Sequence, residues 1–193
     1  MKTLVLASNN KNKIKEIREI FTGYQVKTME EVGYINEIEE NGKDFYENSK
    51  IKAQTIYDYF KSKNTPVSVI ADDSGLCVNA LNGEPGLYSA RYAGDHDSQK
   101  NRNKLLDKLK DIKDRSAYFI CVMTMIKENG DIITSEGRTY GTITYEEIGS
   151  KEFGYDCIFL SDDLHKTFGE ALPNEKNKIS HRGKAIQNLL EKL

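Results

Sequence analysis

The apolar residues fall into runs whose spacing changes along the chain, and each change marks an element. Thr3 to Ala7 is a short apolar run that reads as a strand. A polar stretch follows. From about Lys11 to Phe21 the residues Ile14, Ile17, Ile20 and Phe21 recur at helical intervals, which predicts an amphipathic helix. A second helix is predicted from Gly42 to about Lys61: Asp44 and Glu47 have the spacing of a capping box, and Phe45, Ile51, Ile56 and Phe60 repeat at roughly helical intervals. Between the two helices lies an acidic segment, Glu37 to Glu40. Pro66 to Ala71 reads as a strand carrying Val67, Val69 and Ile70, and it runs directly into Asp72-Asp73-Ser74-Gly75. Two adjacent carboxylates are therefore expected at a strand end.

Asn82 to Asp97 is dense in Gly, Pro, Asn and Asp and predicts a structured loop, after which Ser98 is expected to cap a basic, Leu-bearing helix reaching about Leu109. Ala117 to Lys127 and Asp131 to Arg138 flank Glu128-Asn129-Gly130 and predict a hairpin. The region beyond, with glycines at 137, 141, 149 and 154, reads as β-rich. Ser180 then opens an amphipathic helix with Ala185, Ile186, Leu189, Leu190 and Leu193 on its apolar side. No repeat, low-complexity stretch or linker interrupts the pattern, so residues 1–193 are predicted to form one domain.

Composition narrows the class of function. With 28 Lys+Arg against 30 Asp+Glu the net charge is -2, so no global positive field is available to hold a nucleic-acid backbone, and an anionic ligand must meet a local basic site. Leu4 to Ala7 is too short for a signal h-region or a membrane span, and a cytoplasmic protein without membrane contact is expected. Cys77, Cys121 and Cys157 are widely separated, without a CxxC pair, and read as small buried hydrophobes.

Three constellations carry candidate chemistry. Ser8, Asn9, Asn10, Lys11, Asn12 and Lys13 lie between a strand and a helix start, where backbone N–H groups, amides and ammonium groups suit a polyphosphate; the competing reading is an ordinary N-cap with solvated lysines. Glu39-Glu40 together with Asp72-Asp73 offers hard oxygens of the kind magnesium takes, or a solvated run and a plain turn. Phe153-Gly154-Tyr155-Asp156, Lys176 and Ser180-His181-Arg182 could supply a flat aromatic face and edge partners for a purine base; taken singly, each has a core or surface reading.

The stretches LASNNKNKIKEI (6–17), EENG with DF and EN (39–48), IADDSGLCVNALNGEPGLYSARYAG (70–94), FGYD (153–156) and SHRGKA (180–185) resemble, in order and spacing, the inosine triphosphate pyrophosphatases, also called dITP/XTP pyrophosphatases or the HAM1-like family. The resemblance implies an elongated α/β fold with a long mixed, curved sheet and flanking helices, two lobes with a central cleft, and a homodimer. It implies hydrolysis of deaminated or oxidised purine nucleoside triphosphates (ITP, dITP, XTP) to the monophosphate and pyrophosphate, with one or more magnesium ions per subunit. Carried over by position, Ser8 to Lys13 would hold the triphosphate, with Lys13 the main basic contact and Lys52 near the phosphates. Glu39 and Asp73 would bind magnesium, Asp73 would accept the proton of the attacking water, and Ser74 would touch substrate. Phe153, Gly154, Tyr155, Asp156, Lys176, His181 and Arg182 would form the base pocket. Three positions depart from the family pattern: Cys157 stands where Pro is usual, Ser49 where Ala is usual, and Ser8 where Thr is common. From another class of enzyme comes the alternative of a metal-dependent phosphatase with an Asp nucleophile, and from outside enzymes that of a purine nucleotide sensor without turnover.

Overall fold

The computed structural model describes residues 2–94 and 96–193. Six strands, β1 (Lys2–Leu6), β2 (Tyr24–Thr28), β3 (Ser68–Val78), β4 (Ser116–Ile126), β5 (Ile132–Ile143) and β6 (Phe159–Ser161), form one sheet in the order β2-β1-β3-β4-β5-β6. β1 runs parallel to β2 and β3, whereas β5 and β6 are antiparallel, so the sheet is mixed. The helices are α1 (Lys11–Ile20), α2 (Phe45–Ser62), α3 (Ser98–Lys108), α4 (Pro173–Ile179) and α5 (His181–Leu190). An α/β fold with a mixed sheet and flanking helices was expected and is found. Among the described residues no helix is long and apolar enough to cross a membrane. Cys77, Cys121 and Cys157 are buried, and none of them is in a disulfide.

The chain divides into two compact units. Unit 1 comprises Met1–Asp73, Cys121–Gly137 and Lys184–Leu193. Its core shows the two-residue period of strands, because successive side chains leave opposite faces of a sheet. Leu4, Leu6 and Ile70 pack with Ile17 and Phe21 of α1 and with Ala185, Ile186 and Leu189 of α5. The alternate residues Val5, Ala7, Val69 and Ala71 pack with Ala53, Ile56 and Tyr57 of α2. Fully burying each of these Leu, Ile and Phe side chains is worth ~1.5–3 kcal/mol, which is why two faces of alternating apolar residues recruit helices to both sides. Unit 2 comprises Ser74–Ile120 and Arg138–Gly183. Leu76, Val78, Ala117, Phe119, Ile143 and Phe159 carry its core, with Leu105 and Leu109 at the end of α3.

Several local expectations are corrected. β2 is absent from the sequence reading; it is a five-residue strand at the sheet edge with only Val26 and Thr28 buried, too short for a periodic signal. β3 does not stop before Asp72 but continues to Val78, so the two carboxylates lie inside a strand. Asp97 rather than Ser98 caps α3, its carboxylate accepting from the Lys100 N–H. Beyond β5 the chain is mostly loop with one three-residue strand, because cores there are reached by isolated residues and not by alternation. Residue 95 of the predicted 82–97 loop lies outside the described residues.

Candidate active site

Asp72 and Asp73 are consecutive in β3 and therefore point to opposite faces of the sheet. Asp72 shares its face with Ile70, toward α1, and Asp73 shares its face with Val69 and Ala71, toward α2. Both are buried, 1% and 8% exposed, and a buried carboxylate is costly unless paired. Each meets a lysine from the helix on its own side. Lys13 Nζ lies 3.1 Å from Asp72 Oδ2, and Lys52 Nζ lies 3.2 Å from Asp73 Oδ1. Lys52 also reaches Glu40 Oε2 at 3.1 Å, so one buried ammonium gathers two carboxylates from distant segments. Three acids and two lysines thus share a small region of unit 1.

Asn48 ties this group together. Its Nδ2 donates to Asp73 Oδ2 at 3.2 Å, and its Oδ1 accepts from the Gly42 N–H at 2.8 Å, so the loop carrying Glu40 is anchored to α2 beside Asp73. Gly42 is required by close approach: a Cβ there would meet Asn48 Oδ1 at 2.6 Å and the Asn48 backbone nitrogen at 2.8 Å. The start of α2 follows the expected pattern, with Asp44 accepting from the Glu47 N–H, while Glu47 Oε2 accepts from Lys43 N–H. Burial pushes the Asp73 carboxyl above the ordinary carboxylate range, outweighing the pull of Lys52 and Lys13. Burial also works against the charge on Lys52, but Asp73, Asp72 and Glu40 together hold its ammonium above the ordinary lysine value. Asp73 therefore holds a proton more readily than an ordinary carboxylate.

In the 8–13 segment Asn10 is the N-cap of α1, its Oδ1 accepting from the Asn12 and Lys13 N–H groups at 3.1 Å each. Ser8 Oγ accepts from the Asn10 N–H. Asn9, Asn10, Lys11 and Asn12 are exposed. The capping reading of this segment therefore holds for Asn10, while Lys13 is not a solvated lysine but is directed inward to Asp72; an exposed run of amides and Lys11 surrounds the positive end of α1.

Unit 2 assembles the later residues. Lys176 Nζ lies 2.6 Å from Asp156 Oδ2 in a pair with side chains 8% and 10% exposed, and the same ammonium sits 4.5 Å from the centre of the Phe153 ring. The Arg182 guanidinium is 6.0 Å from that ring and donates to Ser74 Oγ at 3.1 Å. Phe153 is half-buried and is the one aromatic ring of the 153–156 turn with an accessible surface. Tyr155 is 5% exposed and donates its hydroxyl to the Ser89 carbonyl at 2.7 Å, and His181, 3% exposed, stacks on Phe119 at 4.8 Å and 13°. Both rings are packed within unit 2.

The structure therefore brings Lys13, Lys52 and Asp73 together in unit 1, and Ser74, Phe153, Asp156, Lys176 and Arg182 together in unit 2. It places Glu39 on the surface and its neighbour Glu40 on Lys52. Asp72, grouped with Asp73 as a candidate metal oxygen, pairs with Lys13; Asn48 and Gly42 are components that residue-by-residue reasoning passed over, although they lie inside the EENG and EN motifs. Their spacing, Gly42 two residues before the Asp44 cap and Asn48 in the first turn of α2, was the available signal.

A model of the Ham1 family matches residues 4–192. The chain is similar to the dITP/XTP pyrophosphatase of Clostridium perfringens (strain 13 / Type A), 47% identical over 199 residues that cover 100% of this chain and 98% of that protein. It is similar also to the dITP/XTP pyrophosphatase of Bacillus subtilis (strain 168), 43% identical over 194 residues, with 98% and 96% covered. Among solved structures, the Ham1 protein of Staphylococcus aureus superposes with a TM-score of 0.85 at 42% identity, covering 99% of this chain and 97% of that one. The HAM1 protein from Coxiella burnetii gives a TM-score of 0.85 at 38% identity over 100% of both chains.

Proposed function

This chain belongs to the Ham1 family, and from that footing we propose that it hydrolyses deaminated or oxidised purine nucleoside triphosphates, ITP, dITP and XTP, to the monophosphate and pyrophosphate. The observation that carries the reading is the convergence of Lys13, Lys52, Glu40, Asp72 and Asp73 in unit 1. The name borne by the relatives, dITP/XTP pyrophosphatase, supports the choice of substrate.

The donor set fits magnesium. That ion uses one or two carboxylates and fills its remaining positions with water and substrate phosphate oxygens. Glu40 and Asp73 supply two hard oxygens within 3.2 Å of a common nitrogen, Lys52 Nζ. They are the residues that would hold it; Glu40 takes the role in place of Glu39 because Glu40 is the acid that Lys52 and the Asn48–Gly42 bond bring beside Asp73. When bound, the ion neutralises charge on the phosphates and on the departing pyrophosphate.

The remaining work falls to side chains. Lys13, Ser8 and the exposed Asn9–Asn12 run bind the triphosphate next to the positive end of α1. A water oxygen attacks the α-phosphorus, the bond from that phosphorus to the bridging oxygen of the β-phosphate breaks, and pyrophosphate leaves. Asp73 takes the water's proton on a carboxylate oxygen. Asp72 fixes Lys13. Ser74 contacts substrate, and Phe153 offers a stacking face for the base. Arg182, Lys176 and the backbone near Asp156 offer donors to the 6-oxo group of hypoxanthine or xanthine, and the 6-amino group of adenine leaves those donors unpaired. Tyr155 and His181 serve by shaping the turn and the helix start beneath it.

A homodimer in the cytoplasm completes the proposal. Its support is exposed apolar surface on the strands of unit 2, where Tyr140, beside Tyr118, and Leu160, paired with Thr142, are 55% and 37% exposed. Incubation of the purified protein with magnesium and ITP, XTP, dITP, ATP or GTP tests the activity. Pyrophosphate and IMP from ITP are expected, with little turnover of ATP. Orthophosphate as the first product would point to the nucleophilic Asp of a phosphatase, and binding without any product would point to a sensor.

A further inference from the structure

Arg102 is 2% exposed, among the largest fully buried side chains of the protein, and the proposed reaction makes no use of it. Its guanidinium donates from Nε to Glu147 Oε1 at 2.7 Å, from Nη1 to the Gly154 carbonyl at 2.7 Å, and from Nη2 to Gln99 Oε1 at 2.9 Å. Glu147 is itself held by Gln99 Nε2 at 2.7 Å and by Lys151. Gly154 sits at φ +48, in the left-handed region, and opens the turn that presents Phe153 and Asp156. The next residue, Tyr155, donates to the Ser89 carbonyl, while Asn101, adjacent to Arg102 in α3, donates to the Ala90 carbonyl at 3.0 Å and accepts from the Ala93 N–H at 2.6 Å. Two consecutive residues of α3 thus brace the 153–156 turn from two directions, Arg102 directly and Asn101 by way of the 89–93 segment.

A leucine would fill the same volume without the desolvation that a buried cation incurs. What only arginine provides is a planar fork that satisfies three acceptors at fixed angles, and one of those acceptors is the carbonyl at the turn's left-handed residue. We infer that Arg102 is a positioning residue that sets the 153–156 turn and, resting on the proposed reading of that turn as the purine-base site, determines base selectivity without touching substrate. Lysine at this position retains the charge beside Glu147 but cannot hold Gly154 and Gln99 at once, so Arg102→Lys separates folding from positioning. The double variant Arg102→Met/Glu147→Met, which removes both buried charges together, provides a second folded background.

Two measurements decide it. Hydrogen exchange followed by mass spectrometry is expected to show lost protection in peptides covering 153–158 in both variants, with peptides of α1 and α2 unchanged; unchanged exchange at 153–158 would overturn the brace whatever the enzyme hydrolyses. Steady-state kinetics are expected to show KM for ITP raised about tenfold and the ITP-over-ATP preference lowered about tenfold, the size of effect that one misplaced polar partner produces. kcat should stay within about threefold, and inhibition by magnesium pyrophosphate, which reports on the phosphate residues alone, should be unchanged. Loosened exchange with an unaltered KM and unaltered base preference would overturn the selectivity role, and a lower kcat at constant KM would do the same. Wild-type protein that leaves ITP intact would instead remove the reading of the turn as a base site, and with it the selectivity role, while the exchange result still judges the brace.

Discussion

Replacing Asn48 by Ala tests the architecture of the acid cluster more sharply than replacing any of its charges. Asn48 is 3% exposed and makes two hydrogen bonds that matter, Nδ2 to Asp73 Oδ2 and Oδ1 from the Gly42 N–H. The first involves a charged acceptor and is worth ~1.5–3 kcal/mol; the second joins neutral groups and is worth ~0.5–1.5 kcal/mol. Their loss together lowers stability by ~2–4 kcal/mol, which for a chain of this length is a fall in Tm of roughly 5–15 °C. The effect on the metal site is separable. Without the Gly42 anchor the Glu40 loop is held at this cluster chiefly by its partly exposed ion pair with Lys52, an interaction worth at most ~1 kcal/mol. The midpoint for magnesium, followed by isothermal titration calorimetry, should therefore rise by about tenfold, equivalent to ~1.4 kcal/mol. Asn48→Asp discriminates further: it keeps the acceptor for Gly42 but sets a second carboxylate against Asp73, so it should be at least as destabilising as Ala despite its closer shape. A Tm within about 1 °C of wild type and an unmoved magnesium midpoint in Asn48→Ala, or a milder Asn48→Asp, would refute the reasoning.

Asp73→Asn should keep a cooperative thermal transition near that of the wild type, because Lys52 retains Glu40, while turnover of ITP falls about a hundredfold or more; near-normal turnover would remove Asp73 as the base. Glu40→Gln should raise the magnesium midpoint about tenfold, whereas Glu39→Gln should leave it within about twofold, since Glu39 is on the surface; the reverse ranking would return the role to Glu39. Acid should loosen unit 2 through Glu147. Burial raises its carboxyl, but hydrogen bonds from Lys151, Arg102 and Gln99 more than reverse this and bring it to about 2 from an ordinary 4.5. A depressed folded-state value means that the stabilisation is complete above pH 4.5 and is lost as the pH falls through 4.5 towards 2, by at most ~3 kcal/mol. Urea unfolding at several pH values should show a steeper loss across that window in wild type than in Glu147→Gln; parallel curves would deny Glu147 this part in acid unfolding.

What the sequence revealed and what it concealed divide along one physical line. α1, α2 and α5 were legible because each buries one face, so Ile14, Ile17 and Phe21, or Ala185, Ile186 and Leu189, mark it by spacing. β1 and the apolar half of β3 were legible for the same reason, and β2 was not, because two buried residues in five leave no period to detect. The errors concentrate where charge is buried. Asp72 and Asp73 looked like the end of a strand because hydropathy treats adjacent acids as solvent-facing, and the lysines that neutralise them come from two different helices. Arg102 looked like one more cation on a basic helix, since nothing local shows that Glu147 and the Gly154 carbonyl are waiting for it. Tyr155 and His181 carry chemistry suited to a base, and nothing local showed that the Ser89 carbonyl and the Phe119 ring hold them in the packing. A polar residue at a position where the apolar pattern calls for core is stable only when partners distant in sequence complete it, as Lys13 and Lys52 do for Asp72 and Asp73. At β3 the residue that defeated the pattern and the proposed base coincide for a physical reason: at Asp73 burial outweighs the neighbouring lysines, so it is both a poor fit to hydropathy and a carboxylate with raised affinity for a proton.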